Sequence, residues 1–217
     1  LAGSLNNLSI HLDALGRHKE ALAASEEAVE IHHALTAERA NATGPDLAAS
    51  LINLSIRLSV LGQHEDALEA GEKALEIYRT HAAKTADELR PGIAASVDNL
   101  SIFLSALGRH EEALTAGEEA VKIRRSLAAE RPDAFRPDLA RSLSNLAGRL
   151  RHQGRPERAL AASGEAIGIY KNLVAEHPNA FHPELANAYW SQGRILHDLE
   201  MHKEAVAAFT AGIETLT

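Results

Sequence analysis

Histidine, arginine and asparagine are the residues whose types and spacing could do chemistry in this chain. Twelve histidines occur. His18, His64, His110 and His202 stand at one recurring place, and His110-Glu111-Glu112-Ala113-Leu114 opens like the helix of a zinc protease. Such a helix needs a second histidine four residues after the first, to put two ligands on one face. Leu114 stands there instead. Equivalent histidines on successive packed helices would lie roughly 10 Å apart, too far to share a metal bound at about 2 Å. His32-His33 and the pair His177/His182 stand outside this pattern, where packing and metal binding are both open to them. No cysteine is present, which excludes thiolate zinc sites and disulfides.

Nine arginines fall between 124 and 158, interrupted by only four acids. A guanidinium binds carboxylates and phosphates through two parallel hydrogen bonds. The same run also suits a solvated face whose charges pair with neighbouring acids. The glycines stand singly, so no phosphate-cradling loop is expected. Almost every polar residue recurs at a fixed interval, whereas a catalytic site needs one distinctive cluster. The expectation is no enzyme, no cofactor and no metal.

That interval is the organising feature. Ser4-Leu5-Asn6-Asn7-Leu8-Ser9-Ile10 returns at 50, at 96 and, changed, at 142, with a diverged copy from 188. The spacing of 46 residues admits no insertion. Within a copy, Leu5, Leu8, Leu12 and Leu15 recur at helical spacing, Gly16 marks a stop, and Ala21 to Ile31 restart the helical period. Pro45, Pro91, Pro137 and Pro183 fall where a first helical turn tolerates proline. These signals predict first helices over 45–61, 91–107, 137–153 and 183–199, and second helices over 18–38, 64–84, 110–130, 156–176 and 202–216. The segment 128–135 reads as a loop. Ala21 and Ala28, with their equivalents, let helices approach closely. One such pair cannot bury its apolar face alone, so pairs must stack.

Composition agrees. The chain is 45% hydrophobic and only 4% aromatic, a balance that favours helices over strands. A net charge of −8 argues against nucleic-acid binding, which needs a basic surface. No long apolar run suits a membrane span. The chain begins at Leu1 and its one methionine is Met201, so it reads as a piece of a longer protein, and a cytoplasmic one.

On the Leu8/Ser9 pair, Leu12, Gly16, Ala21 and Ala28, with Tyr189, Gly193, Ala205 and Phe209 in the last copy, the chain resembles the tetratricopeptide repeat family in its long-period, kinesin-light-chain-like form. The resemblance implies an all-α superhelical solenoid of five helix-turn-helix repeats, one array over 1–217 with starts near 4, 50, 96, 142 and 188. It also implies that first helices line a concave groove. Asn7, Asn53, Asn99 and Asn145 then face that groove, where a side-chain amide could hold a peptide backbone in either direction. Ordering the stack is their alternative role. Ile10, Ile56 and Ile102 follow one turn on, as an apolar groove floor or as core. Arg151, Trp190 and Arg194 join the groove at its C-terminal end. The expected function is a non-catalytic scaffold for a peptide or partner domain. The alternatives are end-to-end self-association, since Phe209, Ile213 and Leu216 lack a covering repeat, or a regulatory array within a larger signalling ATPase or protease-like protein.

Overall fold

The computed structural model describes the backbone of all residues except 39, 179 and 217, and side chains outside 38–43, 83–86, 179 and 217. The described residues form helices α1 (Ala2–Ala14), α2 (His18–Glu38), α3 (Ala40–Val60), α4 (His64–Ala106), α5 (His110–Glu130), α6 (Pro132–His152), α7 (Pro156–Glu176), α8 (His182–Asp198) and α9 (His202–Glu214). Two compact units divide the chain, residues 1–116 and 117–217.

Each repeat turns from its first helix to its second in the same way. Gly16, Gly62, Gly108 and Gly154 all have φ between 64° and 80°. This left-handed conformation lets the next residue donate back five positions: Arg17 N–H to Leu12 at 2.9 Å, Gln63 to Leu58 at 3.0 Å, Arg109 to Leu104 at 2.9 Å and Arg155 to Leu150 at 2.9 Å. The glycine N–H donates to the carbonyl three residues before it. Together these bonds satisfy carbonyls that a helix end leaves open, the Schellman arrangement. In the fifth repeat Glu200 takes the glycine's place at φ 61° and makes the same bonds, with Met201 donating to Leu196 at 2.9 Å. A side chain in this conformation costs about 1–2 kcal/mol.

Second helices end where the sequence places them, at Glu38, Glu130 and Glu176. First helices begin earlier than expected. α3 starts at Ala40 and α6 at Pro132, and Pro45 and Pro137 lie inside them. The predicted loop over 128–135 shrinks to a single break at Arg131, with φ −137° and ψ 78°. Proline there removes one N–H and crowds the carbonyl four residues before it, a disturbance confined to the first turns of the helix. The twelve residues beyond the family's usual period of about 34 therefore lengthen helices rather than loops.

The largest departure is α4, which joins the second helix of repeat two to the first helix of repeat three in one helical run. It is not straight. Gly71 lies so near the side chains of Leu100 and Phe103 that a Cβ on it would stand 2.9 Å from the leucine. A straight helix would separate residues 71 and 100 by roughly 43 Å. The backbone of Gly92 lies against the ring of Tyr78, so the run doubles back between these two residues. Pro91 lies inside the run, at the far end of that interval, where it supplies no N–H to the ladder.

Small residues set the spacing within each unit. Ala21, Ala67 and Ala113 in the first unit and Ala159 and Ala205 in the second are all buried, as are Ala28, Ala74, Ala120, Ala166 and Gly212. A second column matches volumes sixteen residues apart. Ser9 and Ser25 meet at 2.6 Å between hydroxyls, both fully buried. Ser101 donates to the Ala113 carbonyl at 2.9 Å. In the fifth repeat the pair is Gly193 and Phe209, whose ring fills the space a Cβ would need.

One charged contact is built into the first unit. Asp13 of α1 pairs with Arg57 of α3, whose side chain is only 8% exposed. His18 Nδ1 lies 2.7 Å from the other carboxylate oxygen. Burial raises the Asp13 pKa, but the hydrogen bonds and charges of Arg57 and His18 outweigh it and hold the group below its usual value.

Two predictions follow from these local arrangements. Replacing Glu200→Gly is expected to raise stability by about 1 kcal/mol and Gly108→Ala to lower it by about as much, read from urea midpoints at constant slope. Asp13→Asn strands a buried guanidinium and is expected to cost about 2 kcal/mol at pH 7. Because the folded pKa of Asp13 lies below its unfolded value of about 3.9, the pair's stabilisation is complete above that value. It is lost as pH falls through the lower folded pKa. Melting curves of the wild type and the variant are therefore expected to converge as pH falls through that lower folded value.

Candidate peptide-binding face

Each first helix carries residues at i, i+4, i+7 and i+11, which at about 100° per residue share one narrow face. On α1 these are Gly3, Asn7, Ile10 and Ala14; on α3, Ala49, Asn53, Ile56 and Val60; on the second half of α4, Ala95, Asn99, Ile102 and Ala106. None of the twelve is buried. The apolar faces beside them are: Leu51, Leu58, Leu100 and Leu104 pack into the core.

The isoleucines are thus not helix-packing core residues. Ile10 is 46% exposed and Ile102 40%, while Ile56 is half-buried. Asn7 is exposed, and Asn53, Asn99 and, in the second unit, Asn145 are half-buried. Among the described residues none of these four amides has a hydrogen-bond partner in the chain. The bond that ties neighbouring first helices together comes from the preceding residue. Asn6 Nδ2 donates to Ser50 Oγ at 2.8 Å, and His32 Nδ1 meets the same hydroxyl at 2.7 Å. Asn6 recurs as Ile52, Asp98, Ser144 and Trp190, so no repetition marked it as the structural amide.

In the second unit the same face is polar. α6 presents Arg141, Asn145, Gly148 and His152, and α8 presents Asn187, Ser191, Arg194 and Asp198, none of them buried. Arg194 is exposed and forms no ion pair among the described residues. Arg151 lies beside the face and is held by Asp198 at 3.0 Å. Trp190 lies on its flank, 37% exposed, with its indole against Gly212 of α9.

The arginine-rich run is largely neutralised from within. Arg124, 3% exposed, pairs with Asp138 at 2.7 Å, and Arg141 reaches the other oxygen of that carboxylate at 2.7 Å. Arg136 pairs with Glu176 at 2.6 Å, which lowers the glutamate's pKa and raises the arginine's. Arg131 lies 4.8 Å from the centre of the Phe135 ring. Burial, with Glu184 nearby, pushes Tyr170 up to about 12.

The histidines divide likewise. His18 is paired with Asp13, and His32 with Ser50. The His177 ring lies 6.5 Å from that of Phe181. Among the described residues no three histidine, aspartate or glutamate side chains gather as a metal site would require. No helix is long and apolar enough to cross a membrane.

Comparison with known proteins agrees with this architecture. Among solved structures, BtubC (BKLC) from P. vanneervenii is similar, with a TM-score of 0.77 and 19% identity over 99% of this chain and 79% of that one. A putative kinesin light chain of Podospora anserina with nearly identical TPR-like repeats gives 0.70 at 22% identity, over 98% and 93%. A plasmid Rap conjugation gene regulator in complex with a Phr peptide gives 0.66 at 17% identity, over 95% of this chain and 50% of that one. At these identities the likeness is one of fold, the all-α solenoid of helix-turn-helix repeats. Comparison with curated protein sequences gives no match. Sequence models of the tetratricopeptide repeat match residues 1–80 and 93–172, and a further one matches 186–215. With most of its length matched, the chain belongs to the tetratricopeptide repeat family.

Proposed function

We propose that this protein is a non-catalytic interaction module that holds an extended peptide against the exposed face of its first helices. The observation that carries the reading is the set of amides at Asn7, Asn53 and Asn99 on the first unit, with Asn145 in the same register on the second unit's own face. They recur in one register, reach solvent and have no partner among the described residues. Each offers a donor and an acceptor to a peptide backbone, whichever way it runs. Ile10, Ile56 and Ile102, one turn on, offer an apolar seat for a ligand side chain, which suits ligands with apolar residues over the first unit. Arg194, exposed in the second unit, suits a carboxylate there. A preformed helical face loses little entropy when it binds. A relative of the same fold holds a peptide in its solved complex, which supports the same use here.

Peptides selected by display on the intact chain would test this. Asn53→Ala with Asn99→Ala removes two neutral hydrogen bonds of about 0.5–1.5 kcal/mol each. Affinity is expected to fall roughly 5- to 150-fold by calorimetry. The melting temperature should stay put, because neither amide bonds within the chain. Unchanged affinity in a folded double variant would end the reading.

A second reading, association between copies through α9, draws on a different observation. Val206 and Ile213 are 65% and 58% exposed, whereas their equivalents Leu68 and Leu75 are 7% and 8% exposed. If copies associate there, sedimentation should show mass rising with concentration, and Val206→Glu should return it to the monomer value.

A further inference from the structure

The second unit holds a cleft between α5 and α7, with α6 beneath it, of about 350 Å³. That volume lies in the range of small-molecule sites, about 300–1,000 Å³. Its floor is Val121 of α5 with Leu143, Leu146 and Leu150 of α6. The three leucines recur at i, i+3 and i+7, one face of the helix, and none belongs to the face that carries Asn145. The site is therefore separate from the proposed peptide face.

Its mouth is framed by charge. Arg158 of α7 donates to Glu118 of α5 at 2.8 Å. Arg125 of α5 donates to both oxygens of Glu165 on α7, at 2.8 and 3.0 Å. The two bridges cross from helix to helix about two turns apart, roughly 10 Å. Lys122 lies midway between them on α5, and it makes no ion pair among the described residues. Across from it α7 offers only Ala161 and Ala162, both lining the cleft. The mouth thus carries three cations against two carboxylates, with an unmatched ammonium facing methyl groups above an apolar floor.

The corresponding positions in the first unit, on α2 and the first half of α4, carry the opposite balance. Glu30 stands where Lys122 does, and Asp66 stands for Arg158. A negative ligand would be repelled there and attracted here.

We infer that this cleft binds a small amphiphilic anion, with its carboxylate on Lys122 and its apolar body on Val121, Leu143, Leu146 and Leu150. Lys122 is exposed and its ammonium is free to turn inward. The flanking bridges hold α5 and α7 apart, and the alanines leave room for a chain to enter between them. An uncharged chain would gain the floor and lose the ammonium.

Decanoate below its micelle concentration, with decan-1-ol as the neutral match, tests the assignment on the intact chain. Leucine-methyl NMR is the readout. The expected result is saturable shifting of the Leu143, Leu146 and Leu150 methyls by decanoate. Lys122→Gln should weaken binding about tenfold, as for a hydrogen bond to a charged group. Ala161→Phe should abolish it by filling the mouth. Decan-1-ol should bind distinctly more weakly than decanoate to the wild type. Both substitutions are on exposed positions, and thermal melts check that each variant folds. Absence of shifts at these methyls would overturn the proposal. So would equal affinity of folded Lys122→Gln and Ala161→Phe for decanoate, or equal affinity of the wild type for decanoate and decan-1-ol.

Discussion

The structure depends on helices held as close as methyl groups allow. Ala21 and Ala28, and their equivalents in every later copy, sit where one helix meets the next. A larger side chain there would push the pair apart and open the leucine layers that flank it. Close approach also fixes rotation. Once the alanine and leucine faces of a first helix are committed to neighbours, the face with Asn53 and Ile56 has nowhere to go but outward. The exposure of a potential ligand-binding surface is thus a by-product of packing elsewhere on the same helices.

Much of this was legible because the sequence says it five times. Helix ends marked by glycine were readable from one residue, since Gly16, Gly62, Gly108 and Gly154 meet a conformation that other residues resist. The starts of first helices were less readable. Proline suits a first turn best, yet α3 and α6 start five residues before Pro45 and Pro137, so these signalled a boundary displaced by that much. The doubling back of α4 was invisible, because it depends on how Tyr78 and Gly92 meet and not on local propensity. Singular contacts were also hidden. Asp13 and Arg57 come from different copies, and although Arg57 returns as Arg149, Asp13 gives way to Ser59, Ser105, Arg151 and His197, so periodicity gave the pair no voice. Asn6 was overlooked because the repeating Asn7 beside it drew the functional reading.

Charge is distributed with a different logic in the two units. In the first, the exposed face of the first helices is apolar between its amides, and the outer positions of the second helices are acid-rich. In the second, arginines appear on both, and Arg124, Arg125, Arg136, Arg141, Arg151 and Arg158 are each engaged by a carboxylate. Bridges such as Arg125–Glu165 and Arg158–Glu118 join consecutive second helices, and each, being exposed, contributes modestly to stability. Their larger effect is to leave Lys122 as the cation at the cleft mouth still available to a ligand.

The left-handed glutamate at position 200 has a kinetic consequence. In a linear array each repeat is stabilised by its own fold and by its neighbours, so opening starts where those contributions are smallest. The turn between α8 and α9 keeps every hydrogen bond of its glycine counterparts while carrying strain that they lack. Transient opening should therefore begin at this turn, and amide protons there should exchange with solvent ahead of those at the glycine turns. Glu200, which with Phe181 at the start of α8 is one of two non-glycine residues held left-handed among the described residues, would thus mark one place in a nearly periodic molecule where it comes apart first.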